Sequence, residues 1–221
     1  MTPGFTHLTF DCYGTLIDWR SGVDSYLGEL LRRKGLRPGM SVHSTYVKLE
    51  AEQEGHYKSY SEILHDTAIL VARHFGLSIT DGEARGFAGT IQDWKPFDDV
   101  LASLRVLGER GYKRVILSNV DRHLLQKTIA KNSLGVDGYI TAEDVGSYKP
   151  ALGHWRRFFE EYKVSKRETL HVAQSVYHDI IPSTQIGVAN AWINRYAEEK
   201  PAEVNPTWTL SGLADLLDVL G

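Results

Sequence analysis

A chain of 221 residues with 42% hydrophobic and 24% charged residues can bury a full core, which excludes a disordered polymer. A formal net charge of -3 gives nucleic acid or an anionic membrane no electrostatic footing as a partner. A single cysteine, Cys12, excludes an intramolecular disulfide and fits a reducing compartment.

The segment Met1 to His7 has no basic n-region and no long apolar run. Neither a secretory leader nor a membrane span is expected, and cytoplasm is the simplest location. Leu8 to Phe10 read as a buried strand. Apolar positions at helical spacing then predict a helix over Ser21–Lys34, stopped by the breakers Gly35, Pro38 and Gly39. Further helices are expected over Val42–Glu54, Ser59–Phe75 and, weakened by three glycines, Thr80–Trp94.

The pattern changes after Trp94-Lys95-Pro96. Helices at Val100–Arg110, Asp121–Asn132, Leu152–Lys163, Ile180–Gly187 and Ser211–Leu220 alternate with strands at Arg114–Leu117, Tyr139–Thr141, Thr169–Ala173 and Ala191–Ile193. Such alternation predicts an α/β protein with a parallel sheet covered by helices. The expected division is a catalytic core of residues 1–16 and 96–221, interrupted by an all-helical insert at 17–95. No internal repeat is visible.

Ligands of parallel α/β sheets bind outside the carboxyl ends of the strands. Reactive polar groups stand at four such places here. Asp11 follows the first strand in Asp-Cys-Tyr-Gly-Thr, where Gly14 lets the chain bend and Thr15 offers a hydroxyl. Ser118-Asn119 end the second strand. Lys149 lies on the loop Gly-Ser-Tyr-Lys-Pro. Ser175, His178 and Asp179 lie in Gln-Ser-Val-Tyr-His-Asp.

Each has a task. An ionised Asp11 is a covalent nucleophile. Lys149 keeps it ionised and steadies moving negative charge. Thr15, Ser118 and backbone N–H groups near Cys12 and Tyr13 hold a carboxylate or an oxyanion. Ser175, His178 and Asp179 position or activate water. Trp19, Tyr57, Tyr60 and Trp94 are aromatic candidates for the insert side of the pocket. The remaining histidines lack metal-ligand spacing.

Taken in order, the four segments resemble the motifs of the haloacid dehalogenase superfamily, over nearly the whole chain. The resemblance implies a Rossmann-like core with residues 17–95 as its helical cap. Phosphatases of that superfamily carry a second acid two residues after the nucleophile and an acid in the fourth motif that binds magnesium. Tyr13 and Gln174 stand at those places, and a neutral amide poorly replaces a carboxylate around a hard cation. A Mg-dependent phosphatase is therefore the weakest of the enzymatic readings, and no metal or other cofactor is expected.

The chain instead resembles the type II (L-2-haloacid) dehalogenase subfamily. Its members displace halide from C2 through an aspartyl ester that water then hydrolyses. The resemblance makes Asp11 the nucleophile, surrounds it with Thr15, Ser118 and Lys149, turns Asn119 toward the leaving group and gives Ser175 to the hydrolytic step. It implies a small carboxylic acid as substrate and leaves room for a homodimer. Two features depart from the subfamily. His178 stands where an acid is usual, with Asp179 one place later, and the cap helix lacks the halide-gripping arginine, leaving Lys48 as the nearest cation. The same segments are similar to L-azetidine-2-carboxylate hydrolase, which implies ring opening of a strained amine as the alternative reaction, with His178 as a partner for the leaving nitrogen.

Overall fold

The computed structural model describes residues 4–37, 39 and 41–221. Met1–Pro3, part of the leader reading, and the breaker Pro38 lie outside those residues. Strand β1 (His7–Phe10) carries Leu8 and Phe10 fully buried. The helices α1 (Trp19–Val23), α2 (Glu29–Arg33), α3 (Val42–Gln53), α4 (Tyr60–His74) and α5 (Asp81–Ala88) follow. A π-helical turn at Asp24–Gly28 runs α1 into α2. The alternating part comprises α6 (Val100–Glu109), β2 (Lys113–Ser118), α7 (Arg122–Asn132), β3 (Gly138–Thr141), α8 (Ala142–Val145), α9 (Gly153–Tyr162) and β4 (Thr169–Ala173). It closes with α10 (Ile181–Gln185), β5 (Ala189–Ile193), β6 (Trp208–Leu210) and α11 (Asp215–Leu220).

The strands form one parallel sheet in the order β3-β2-β1-β4-β5-β6. Strands β2 and β3 lie on one side of β1, and β4 to β6 on the other. The chain therefore leaves β1 and β4 in opposite directions, and a crevice opens at their carboxyl ends. The helical run sits over it. Its entry and exit lie side by side: Ile17 bridges Pro96, and Asp18 N donates to Lys95 O at 2.8 Å. A carboxylate from the sheet side ties the run down, because Asp121 accepts from Tyr60 N at 2.8 Å and from Ser61 N at 2.9 Å at the start of α4. Unpaired N–H groups and the positive end of the helix dipole favour an anion there. One hydrophobic cluster spans both parts, from Phe10 and Leu170 through Leu27 and Ile63 to Phe87.

Several elements differ from the sequence expectation. Thr80–Trp94 is two pieces, α5 and a 3-10 turn at Ile91–Asp93, because the chain turns at Gly89–Thr90. Ile180–Gly187 begins earlier, with a π-helical turn at Val176–Ile180 feeding α10. Helix α11 starts only at Asp215, whose carboxylate accepts from the backbone of Ser211 and Gly212 and occupies that stretch as a turn. The short elements β6 and α8 carry too little periodic signal to be read from sequence.

Candidate active site

Asp11 leaves β1 directly into the crevice, with its backbone N–H bonded to Val172 O of β4 at 3.0 Å. Gly14 takes φ +102 in the following turn, a backbone conformation that strains any residue with a Cβ. That turn swings Thr15 back, so its hydroxyl donates to Asp11 Oδ2 at 2.8 Å while accepting from Gln174 N at 2.9 Å. Thr15 thus holds the nucleophile from behind and ties β1 to β4.

Lys149 is almost wholly buried and lies between two carboxylates. Its Nζ donates to Asp11 Oδ1 at 2.9 Å, to Asp179 Oδ1 at 2.6 Å and to Leu117 O at 2.9 Å. Three donors meet three acceptors, so the ammonium is saturated. Asn119 positions that loop from both sides, accepting from Lys149 N at 2.6 Å and donating to Lys149 O at 3.1 Å. Asp179 takes a further bond from His171 Nε2 at 3.0 Å, and His171 Nδ1 meets Thr9 Oγ1 at 2.9 Å.

One ammonium does not serve both carboxylates equally. Burial disfavours the charge of each. For Asp179 the nearer Lys149 and the bond from His171 overcome burial and hold its carboxyl well below the usual range. For Asp11 burial prevails, aided by the negative charge of Asp179, and its carboxyl lies above the ordinary aspartate value despite Lys149 and Thr15. The pair raises the Lys149 ammonium against its own burial, so Lys149 stays charged.

These groups face a small cavity of about 80 Å³, lined among others by Asp11, Ser118, Lys149, Ser175, His178 and Asp179. Among the described residues the Ser118 hydroxyl and Asp179 Oδ2 are buried without partners, open valences of a kind that a bound molecule or water fills. Ser118 is fixed by its backbone, since His154 Nε2 meets Ser118 O at 3.0 Å. Burial first, and the charge of Lys149 second, lower His154 to about 4, so it is a neutral donor.

The helical side supplies two carboxylates, Glu50 and Glu54, that the sequence reading did not single out. Glu50, Glu54 and Tyr60 line the cavity opposite Asp11. The hydroxyls of Tyr46 and Tyr60 both donate to Glu50 Oε1. Burial first, and the neighbouring Glu54 second, push Glu50 up to about 7. Glu54 Oε2 meets His178 Nε2 at 3.1 Å, and Ser175 Oγ meets His178 Nδ1 at 3.1 Å. Burial alone would lower His178, but its bond to Glu54 and the charge of Glu54 raise it.

Three expectations need correction. Lys48 is exposed and does not line the cavity. It sits two residues before Glu50, about 200° around a helix, so one faces out when the other faces in. Among the described residues no arginine lines the cavity either. The Cys12 side chain is fully buried in the core, which leaves to the site only the backbone that the sequence reading used. Asn119 spends its amide on Lys149 and, at 3.5 Å, on Glu54 instead of a leaving group. Of the four aromatic candidates only Tyr60 lines the cavity: Trp19 packs on Tyr46, Tyr57 on Tyr148 and Trp94 on Tyr13. The Tyr13 hydroxyl bonds Thr128 Oγ1 at 2.8 Å and is spent there.

The donor set does not fit a magnesium ion. Asp179 Oδ1 is committed to Lys149 and His171, the Gln174 amide donates to Glu198 Oε2 at 3.1 Å, and among the described residues no group of three or more His, Cys, Asp or Glu side chains is arranged to hold a metal ion.

Residues 5–183 match the family described as haloacid dehalogenase-like hydrolase. The haloacetate dehalogenase H-2 of Moraxella sp. (strain B) is 27% identical over 203 residues, covering 86% of this chain and 85% of its own. The (S)-2-haloacid dehalogenase of Pseudomonas sp. (strain YL) is 23% identical over 220 residues, covering 96% and 93%. Among solved structures, the L-2-haloacid dehalogenase of Xanthobacter autotrophicus with chloropropionic acid covalently bound superposes with a TM-score of 0.85 at 19% identity, covering 98% of both chains. Among the described residues no helix is long and apolar enough to cross a membrane.

Proposed function

The chain belongs to the haloacid dehalogenase-like hydrolases, and from that premise we propose that it cleaves a bond at C2 of a small 2-substituted carboxylic acid through an ester on Asp11. The helical run, taken as residues 17–95, acts as the cap over a core of 1–16 and 96–221. The observation that carries this reading is the Asp11 carboxylate, held between Lys149 and Thr15 on the wall of a cavity of about 80 Å³. Drug-sized ligands need roughly 300–1,000 Å³, so the site suits a molecule of a few heavy atoms.

In the first step an Asp11 oxygen attacks C2 from the face opposite the leaving group. The C2–X bond breaks, X departs with the electron pair, and C2 inverts. In the second step water attacks the ester carbonyl, the C–O bond to the substrate fragment breaks, and Asp11 is regenerated. Ser118 receives the substrate carboxylate. An L-2-haloacid is the substrate class that the named relatives support, because halide leaves without a proton and asks for no general acid. The test is halide release from (S)- and (R)-2-chloropropionate and 2-bromopropionate against Asp11→Asn. We expect release from the (S) forms alone; no release above the variant across several short haloacids refutes the reading.

Glu50 favours a second leaving group. A carboxyl pushed up to about 7 can protonate or hold a departing nitrogen, and among the described residues no arginine lines the cavity to hold an anion. Ring opening of azetidine-2-carboxylate uses the same attack by Asp11. It predicts turnover without halide, lost in Glu50→Gln.

A further inference from the structure

The ester formed in the first step must be attacked by water, and Asp179, Glu50, Glu54 and His178 all line the cavity where that happens. Asp179 is poorly suited. Its Oδ1 is committed to Lys149 and His171, and its side chain is about 1% exposed. The free Oδ2 can accept a bond from water and orient it. A carboxyl held so far below its usual range does not take the proton.

Ser175 and His178 are placed differently. Both line the cavity that holds Asp11, so a water beside the Ser175 hydroxyl is also beside the ester. With Glu54 ionised, His178 Nε2 must donate to it at 3.1 Å. The neutral ring then presents Nδ1 as an acceptor, 3.1 Å from Ser175 Oγ. Ser175 Oγ also accepts from His178 N at 3.1 Å, which fixes the hydroxyl and leaves one lone pair for water. The chain of bonds therefore runs from the cavity through Ser175 and His178 to Glu54, across the gap between the sheet and the helical run.

We propose that Ser175, His178 and Glu54 form a proton relay for hydrolysis of the Asp11 ester, with Ser175 touching the water and His178 and Glu54 acting through it as positioning residues. Water gives a proton to Ser175 Oγ as the Ser175 proton passes to His178 Nδ1. The oxygen of water bonds to Asp11 Cγ. The ester C–O bond then breaks, and the proton held on His178 returns through Ser175 to the departing alkoxide. Atoms and charge balance as ester plus water giving carboxylate, 2-hydroxy acid and a proton released to solvent. Asp179 keeps Lys149 in place.

This inference rests on the ester route above, and its test separates the two. The probe is (S)-2-bromopropionate, mixed rapidly with enzyme, with bromide and the mass of the Asp11 peptide followed together. Ser175→Ala and His178→Ala should release about one bromide per site and then stall with substrate mass on that peptide. Their steady-state turnover should fall roughly 10²–10⁴-fold.

The pH profile supplies a readout that loss of structure would not move. His178 faces Glu50 of α3 and Glu54 just past its end, Asp179 and Lys149 from the sheet side, and the Tyr177 ring at 4.9 Å. The relay needs it neutral, so hydrolysis should rise with pH through a value above the ordinary 6.5. Glu54→Gln should move that rise to lower pH, since Glu54 is what raises His178 against its burial.

Wild-type ester hydrolysis in His178→Ala, absence of the burst in the two variants, or an unmoved limb in Glu54→Gln would each overturn the relay. A wild type that releases no bromide instead refutes attack by Asp11 on the haloacid, and the relay falls with it.

Discussion

Replacing Lys149 by methionine keeps the stem and removes the ammonium. In the wild type that charge sits 2.9 Å from Asp11 and 2.6 Å from Asp179, with all three groups buried. At an effective dielectric of about 20 each contact is worth about 6 kcal/mol gross, most of it offset by the cost of desolvating the ions. Removing one partner of such a group leaves uncompensated charge and costs about 3–5 kcal/mol. For a chain of this size that is roughly 6–20 °C in Tm.

The loss should depend on pH in a stated direction. In the wild type Asp179 has a depressed carboxyl pKa, so its contribution is present above the unfolded value and lost as pH falls through the folded one. In Lys149→Met both buried carboxyls are raised. Their neutral forms are tolerated at low pH, and the penalty grows as pH rises through the raised values. Both effects make the gap between variant and wild type wide near pH 8 and narrow near pH 4. Thermal unfolding at the two pH values measures it. An equal gap at both, or a variant as stable as the wild type at pH 8, would refute the account of Lys149 as the charge that makes this site foldable.

Gly22→Ala separates helix propensity from packing. Alanine in a helix gains about 1 kcal/mol over glycine. A Cβ at Gly22, however, would lie 2.4 Å from the Trp94 ring, an overpacking that costs about 1–3 kcal/mol. The expected outcome is a lower Tm, and an unchanged or higher one contradicts the packing. Tyr13→Phe should leave turnover intact, because that hydroxyl is spent on Thr128, while stability falls by about 1–3 kcal/mol as measured by urea unfolding. A turnover loss of roughly 10²-fold or more would instead make Tyr13 an acid in the reaction.

The sequence by itself determined the alternation of strands and helices, the helical run between the first and second strands, and the carboxyl-end positions of Asp11, Ser118 and Ser175. These follow from local pattern: periodicity names the element, and a polar residue just past an apolar strand lies at its end. It also left a trace of the other wall, since Tyr46, Glu50 and Glu54 recur at a spacing of four on one helix and therefore share a face.

Only the tertiary structure decided what those groups do to one another. Lys149 reaches Asp11 across 138 residues, and His178 reaches Glu54 across 124. No local pattern encodes such distances, because they depend on how the helical run lies against the sheet. The same packing turns Lys48 outward and Glu50 inward, and makes Asp179 the anchor of Lys149. A carboxylate's role is set by which charges and how much water surround it, and those surroundings come from segments far away in the chain.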